Sequence, residues 1–174
     1  MARPHAPQGA AEFLHDVDWG ELDYLVLDLP PGTGDVQISL SQLVPLAGAL
    51  IVTTPQDVAL LDVRKAVTMF AKVNVPVLGV VENMGAFECP GCHATHAIFG
   101  EGGGKAFAQE VGVPFLGSIP LAAEVRVAGD SGRPLLAAEA DSAAGRALRE
   151  AARLLAGQVS VRARASYTRE LPVL

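Results

Sequence analysis

Tyr24-Leu25-Val26-Leu27-Asp28-Leu29-Pro30-Pro31-Gly32-Thr33-Gly34-Asp35 is the stretch on which the reading of the fold turns. Its first half is apolar nearly throughout instead of alternating, the pattern of a parallel strand covered on both faces, and it predicts a strand over 24–29. Asp28 falls where that strand would emerge from the sheet. An acid there suits a Walker B carboxylate, which holds Mg²⁺ directly or through its water beside nucleotide phosphates. Pro30-Pro31-Gly32 makes a stiff loop, and the Gly32 N–H can approach a γ-phosphate with no side chain in the way. The bland alternative is a turn capped by Asp28 and bent by Pro-Pro-Gly.

Outward from this stretch, three more runs share the strand pattern: Ala49 to Thr53, Val77 to Val81 and Phe115 to Ile119. Helical patterns alternate with them at 36–43, 56–73, 102–111 and 142–155. The longest carries Val58, Leu61, Ala66, Met69, Phe70 and Val73 at roughly helical spacing. Its start, Thr54-Pro55-Gln56-Asp57, reads as a capping box with Pro at the first helical position. Strands separated by helices imply crossovers, hence a three-layer α/β/α domain on a parallel sheet. Ligands of such sheets bind beyond the carboxyl ends of the strands, here the loops after Leu29, Thr53, Val81 and Ile119.

Residues 13–157 form this one domain; 1–12 carry no assignable pattern, and 158–174, with Arg162, Arg164 and Arg169, read as a solvated tail. The 174 residues compare with ~150 for a typical domain, and 50% hydrophobic content is ample for a core. Thirteen basic against 19 acidic residues leave a net charge of −6, which disfavours nucleic acid as a partner. No apolar run approaches the ~20 residues of a membrane span. Met1 to Ala10 has no apolar signal region, so a cytoplasmic location is the default expectation.

Two cysteines do not make a disulfide scaffold, but they are close together in Cys89-Pro90-Gly91-Cys92-His93-Ala94-Thr95-His96. The pair supplies half of the four ligands that a [4Fe–4S] cluster or a tetrahedral zinc requires. A second subunit can supply the rest through two-fold symmetry; alternatively His96 and His93 complete a zinc site within one chain. The string also matches a c-type haem attachment pattern and, less well, a thioredoxin-like redox pair. An inert pair is the remaining alternative.

The stretch from Asp23 to Gln37, together with Val52-Thr53-Thr54-Pro55-Gln56-Asp57-Val58-Ala59-Leu60-Leu61-Asp62, Val80-Val81-Glu82-Asn83-Met84 and Cys89-Pro90-Gly91-Cys92, resembles the Mrp/ApbC family. These are iron–sulfur cluster carrier ATPases, P-loop relatives of MinD and ParA, and the resemblance runs in order from about Phe13 to Pro134. It implies a homodimer that binds ATP with Mg²⁺ and holds a [4Fe–4S] cluster across its interface, on Cys89 and Cys92 of each subunit, for delivery to apo iron–sulfur proteins. On the same ground Asp28 is the Mg²⁺-associated acid, Gly32 after Pro31 is the γ-phosphate sensor, Asn83 meets the adenine edge, and Pro120 forms the other wall of the base pocket. Leu121-Ala122 departs from the family's usual Leu-Asp, which leaves a backbone contact at that wall. Without the resemblance, Asn83 reads as a strand-end turn residue.

A phosphate loop needs Gly-rich backbone, a Lys and a Ser/Thr. Of the three lysines, Lys65 and Lys72 lie within a predicted helix; Lys105 follows Gly102-Gly103-Gly104 but precedes Ala106, so this run is a decoy. ATP hydrolysis by this chain alone is therefore doubtful, and an ATPase-dead metal-binding dimerisation module is the alternative. The family's phosphate loop lies upstream, on the first strand, so the chain is expected to be a truncated or degenerate portion of a longer frame. Loss of that strand leaves a sheet edge unpaired, and the expected result is self-association in sedimentation velocity. A monodisperse, cooperatively melting monomer would count against it.

Overall fold

The computed structural model describes residues 14, 16–30, 34–138 and 140–169. Helix α1 (Asp35–Leu43) precedes strand β1 (Ala49–Thr53), helix α2 (Asp57–Lys72) and strand β2 (Val77–Glu82). A short hairpin, β3 (Phe87–Glu88) and β4 (Thr95–His96), leads into α3 (Gly103–Val111) and β5 (Phe115–Ser118). Helices α4 (Ala123–Asp130), α5 (Leu135–Ala138) and α6 (Ala143–Arg169) follow.

β1, β2 and β5 pair in parallel in that order. Because side chains alternate across a strand, each sheet face collects its own core. Ala49, Ile51 and Val80 pack with Met69 and Phe70 of α2 and with Phe107 and Ala108 of α3. On the other face Val81 and Leu116 meet Ala147, Leu148 and Ala151 of α6. Both faces of β2 are thus covered, which is why its sequence is apolar as far as Val81, with only its last residue, Glu82, charged. The three-layer α/β/α expectation holds. Asp57 in the first turn of α2 and Lys72 in its last complement the helix dipole. α3 ends at Gly112, whose φ of +70° suits a residue without Cβ.

Three local expectations are corrected. Residues 24–30 adopt no strand, and Tyr24, Leu25 and Val26 are 53%, 43% and 81% exposed. An apolar run becomes an inner strand only where a neighbour supplies ladder partners and both faces are covered; no described strand pairs with this one. Its end is nonetheless attached: Leu29 packs on the α2/α3 core, and the Gln37 side chain of α1 donates from Nε2 to the Pro30 carbonyl at 2.8 Å. The expected capping box is not made. Gln56 is the N-cap without a side-chain cap, Pro55 precedes it, and the Thr54 hydroxyl donates to Gln56 Oε1 instead. Finally, the expected tail is helical as far as Arg169 as part of α6.

Candidate metal and nucleotide site

The parallel register sets the carboxyl ends of the strands in one row, Thr53 opposite Glu82 and Glu82 opposite Ser118. A 20-residue insert, 83–102, leaves the sheet from this row and returns at α3. Its first turn is fastened on both sides: Asn83 N–H donates to the Thr53 carbonyl at 2.6 Å and Gly85 N–H to that of Ile119 at 2.9 Å. Leu121 N–H reaches the Ala86 carbonyl at 3.2 Å, so the loops of Asn83 and Pro120 run side by side. The Asn83 side chain accepts the Met84 N–H at 2.9 Å, the turn role read from the residue alone, and Met84 is held at φ +54°.

At the far end of the insert the hairpin presents the cysteines. Cys89 N–H donates to the Ala94 carbonyl at 3.0 Å, and His93 N–H to that of Cys89 at 2.8 Å, closing a tight turn. His93 sits at φ +58°, a conformation sparsely used by non-glycine residues. Its Nδ1 lies 2.8 Å from Glu88 Oε1, so the ring is engaged by a carboxylate beside the thiols. Cys89 is half-buried and Cys92 exposed, both as free thiols. Among the described residues no three or more His, Cys, Asp or Glu gather as a metal site. Of the two histidines weighed as further ligands, His93 is held by Glu88 and His96 lies exposed on β4.

Backbone amides lower the Cys89 pKa below its ordinary value, Gly91 first and Cys92 next, aided by the Cys92 thiol and opposed by burial. A lowered pKa makes the thiolate persist at lower pH. The stabilisation it brings to the hairpin is complete above the unfolded thiol's pKa and is lost as pH falls through the folded one. Iodoacetamide labelling followed residue by residue should therefore show Cys89 titrating at lower pH than a free cysteine.

The glycine run is packed, not free for phosphate. A Cβ on Gly103 would stand 2.3 Å from the Pro55 carbonyl oxygen, and one on Gly104 would lie 2.9 Å from Glu82 Cβ. The Gly104 N–H already donates to Glu82 Oε2 at 2.8 Å, so a carboxylate occupies this helix start. Lys105 points into solvent on α3, in accord with the decoy reading. Asp28 is exposed in the irregular 24–30 segment, while Pro31 and Gly32 lie outside the described residues. The structure thus places Asn83, Cys89 and Cys92 on one insert, with the Pro120 loop alongside and Asp28 on a separate segment. Sequence reasoning gave Glu82 no role; a carboxylate ending an apolar strand, 22 positions before a glycine of a triplet, was the available signal.

A parallel three-layer sheet with its loops gathered at the strand ends is the architecture of the P-loop NTPases. The septum site-determining protein MinD of Pyrococcus horikoshii, solved with Mg-ADP, shares this fold at a TM-score of 0.64 and 21% identity, over 88% of this chain and 57% of that one. The nucleotide-binding protein of Archaeoglobus fulgidus, solved with ADP and cobalt, matches at a TM-score of 0.66 and 42% identity, over 77% of this chain and 54% of that one.

Residues 3–156 match the family described as ParA, the NUBPL iron-transfer P-loop NTPases, and the chain belongs to that family. It is 55% identical to an iron-sulfur cluster carrier protein of Deinococcus radiodurans over 163 residues, 94% of this chain and 46% of that protein. It is 56% identical to the iron-sulfur cluster transfer protein NUBPL of Mus musculus over 72% of this chain and 39% of that protein. The chain spans less than half the length of these relatives.

Proposed function

We propose that this chain carries an iron–sulfur cluster as cargo on Cys89 and Cys92. Two copies of the chain, related by a two-fold axis, each supply two thiolates to a shared [4Fe–4S] cluster that is passed to apo iron–sulfur proteins in the cytoplasm. The observation that carries this reading is an incomplete ligand set: two free thiols on an exposed turn, with no third ligand gathered around them among the described residues. A tetrahedral iron site needs thiolates from elsewhere, and a symmetric copy provides the same kind twice. The amides at Gly91 and Cys92 favour the thiolate that binds metal, and the exposure of Cys92 leaves one side open to an acceptor.

For the nucleotide, Asp28 is proposed to assist Mg²⁺, Pro31 and Gly32 to sense the γ-phosphate, and Asn83 and Pro120 to line the base pocket. The loops of Asn83 and Pro120 already lie side by side, and the ADP-bound relative from Archaeoglobus supports a nucleotide ligand. All three lysines sit on α2 or α3, so hydrolysis is not assigned to these residues. Among the described residues no helix is long and apolar enough to cross a membrane.

Anaerobic reconstitution with ferrous iron and sulfide, read with sedimentation velocity and an ATP titration, tests the proposal. About two irons per chain in a dimer-sized particle are expected for one shared cluster. Iron held by a monomer would refute the shared cluster, and cluster formation without ATP binding would leave the metal module alone.

A further inference from the structure

We infer that Glu82 is the positioning residue of the cysteine site: one buried carboxylate clamps both ends of the segment that carries Cys89 and Cys92. This rests on those cysteines being the metal ligands. Glu82 is the last residue of β2, so the insert leaves the sheet from its backbone, and Ile119 N–H donates to its carbonyl at 2.7 Å. Its side chain, in a residue only 3% exposed, then takes hold of the place where the insert returns. Oε2 accepts the Gly104 N–H at 2.8 Å and Oε1 accepts the Ser118 hydroxyl at 2.9 Å. A buried carboxylate persists where donors compensate its lost hydration, and the start of α3 adds a favourable dipole.

No other side-chain contact spans from β2 to the start of α3 in the described hydrogen bonds, and the approach admits only glycine at Gly103 and Gly104. The two ends of a 20-residue segment are thereby fixed relative to one another, and the hairpin at its tip inherits that geometry. Partners that orient metal ligands from behind typically change metal affinity by about 10–100-fold when removed.

Cobalt(II), titrated anaerobically and followed by its thiolate charge-transfer and d–d absorption, is the probe. Glu82 acts through the backbone of the insert and not on a ligand directly, so Glu82→Ala is expected to weaken cobalt binding by about tenfold, the low end of that range, and to alter the d–d bands. Glu82→Gln keeps a carbonyl acceptor for Gly104 N–H and is expected to restore most of the affinity. Gly104→Ala pushes Glu82 off the Gly104 N–H, so it should match Glu82→Ala in cobalt binding; the displaced buried carboxylate should also lower its melting temperature, and Ile51→Val serves as the control for that general loss of stability. It also keeps the test open should Glu82→Ala not fold. Unchanged cobalt affinity in Gly104→Ala, or an equal loss in the core control Ile51→Val, would overturn the inference. Hydrogen exchange of the 86–100 amides, measured without metal, should rise in Gly104→Ala and stay unchanged if Glu82 does not set the hairpin. If Cys89→Ser with Cys92→Ser binds cobalt like the parent, the ligand reading fails instead, and the exchange measurement still decides the clamp.

Discussion

Replacing Cys89 and Cys92 together by alanine is expected to remove all cluster-bound iron after anaerobic reconstitution while leaving the melting temperature of the iron-free protein unchanged. Both halves of that expectation follow from where the pair sits. The thiols are on the turn between β3 and β4, and neither belongs to any of the hydrophobic clusters, so their loss leaves the packed faces of the sheet intact. Surface substitutions away from caps, cores and networks usually change stability by less than about 0.5 kcal/mol. Iron–sulfur ligation, by contrast, requires thiolates outright, and no neighbouring His, Cys, Asp or Glu completes a substitute set among the described residues. Each single variant leaves a two-fold assembly with two of its four thiolates, so Cys89→Ala alone should lose most of the iron as well. Iron content and visible absorption of the reconstituted protein check this. Iron retained by the double variant refutes the cluster assignment, whereas a fall in melting temperature parallel to the iron loss would mark the cysteines as structural.

What the sequence made legible divides along a physical line. Runs whose neighbours are present in the fold were readable from pattern alone. Ala49–Thr53 emerged as expected, while β2 extends one residue further and β5 ends one residue earlier. The 24–29 run carries the same signal, yet it forms no strand, because apolar content does not supply backbone partners. The cysteine pair was legible as a compact motif, and Asn83 and Pro120 fall on two loops that run side by side. What escaped was Glu82. Its partners, Gly104 and Ser118, are 22 and 36 residues away, and only the sheet register brings them to one carboxylate. The hairpin around the cysteines escaped for a related reason. Its strands are two residues each, too short for periodicity to show, and its turn is set by His93 in a left-handed conformation, which histidine adopts more often than most residues but still in only a small minority of cases.

The other large effect concerns the core on which this site stands. Phe107→Ala is expected to destabilise the protein by about 3–5 kcal/mol, the usual range for truncating a buried Phe. Phe107 is 2% exposed and packs in the cluster that joins β1 and β2 to α2 and α3, so its truncation removes contacts that the packed neighbours recover only in part. The cavity would open directly behind the start of α3, where Gly103 rests on Pro55 and Gly104 on Glu82. Above the ring lies Arg64, 5.4 Å from the ring centroid and paired with Glu110. That exposed ion pair gains little beyond what water offers, so Arg64→Met should change stability far less than Phe107→Ala. Small domains have only about 5–15 kcal/mol to lose, so the Phe variant should unfold at markedly lower urea concentration with the slope of the transition preserved. A shift matching that of Arg64→Met would mean that the α2/α3 face relaxes around the missing ring and is not the rigid base on which the cysteine insert depends.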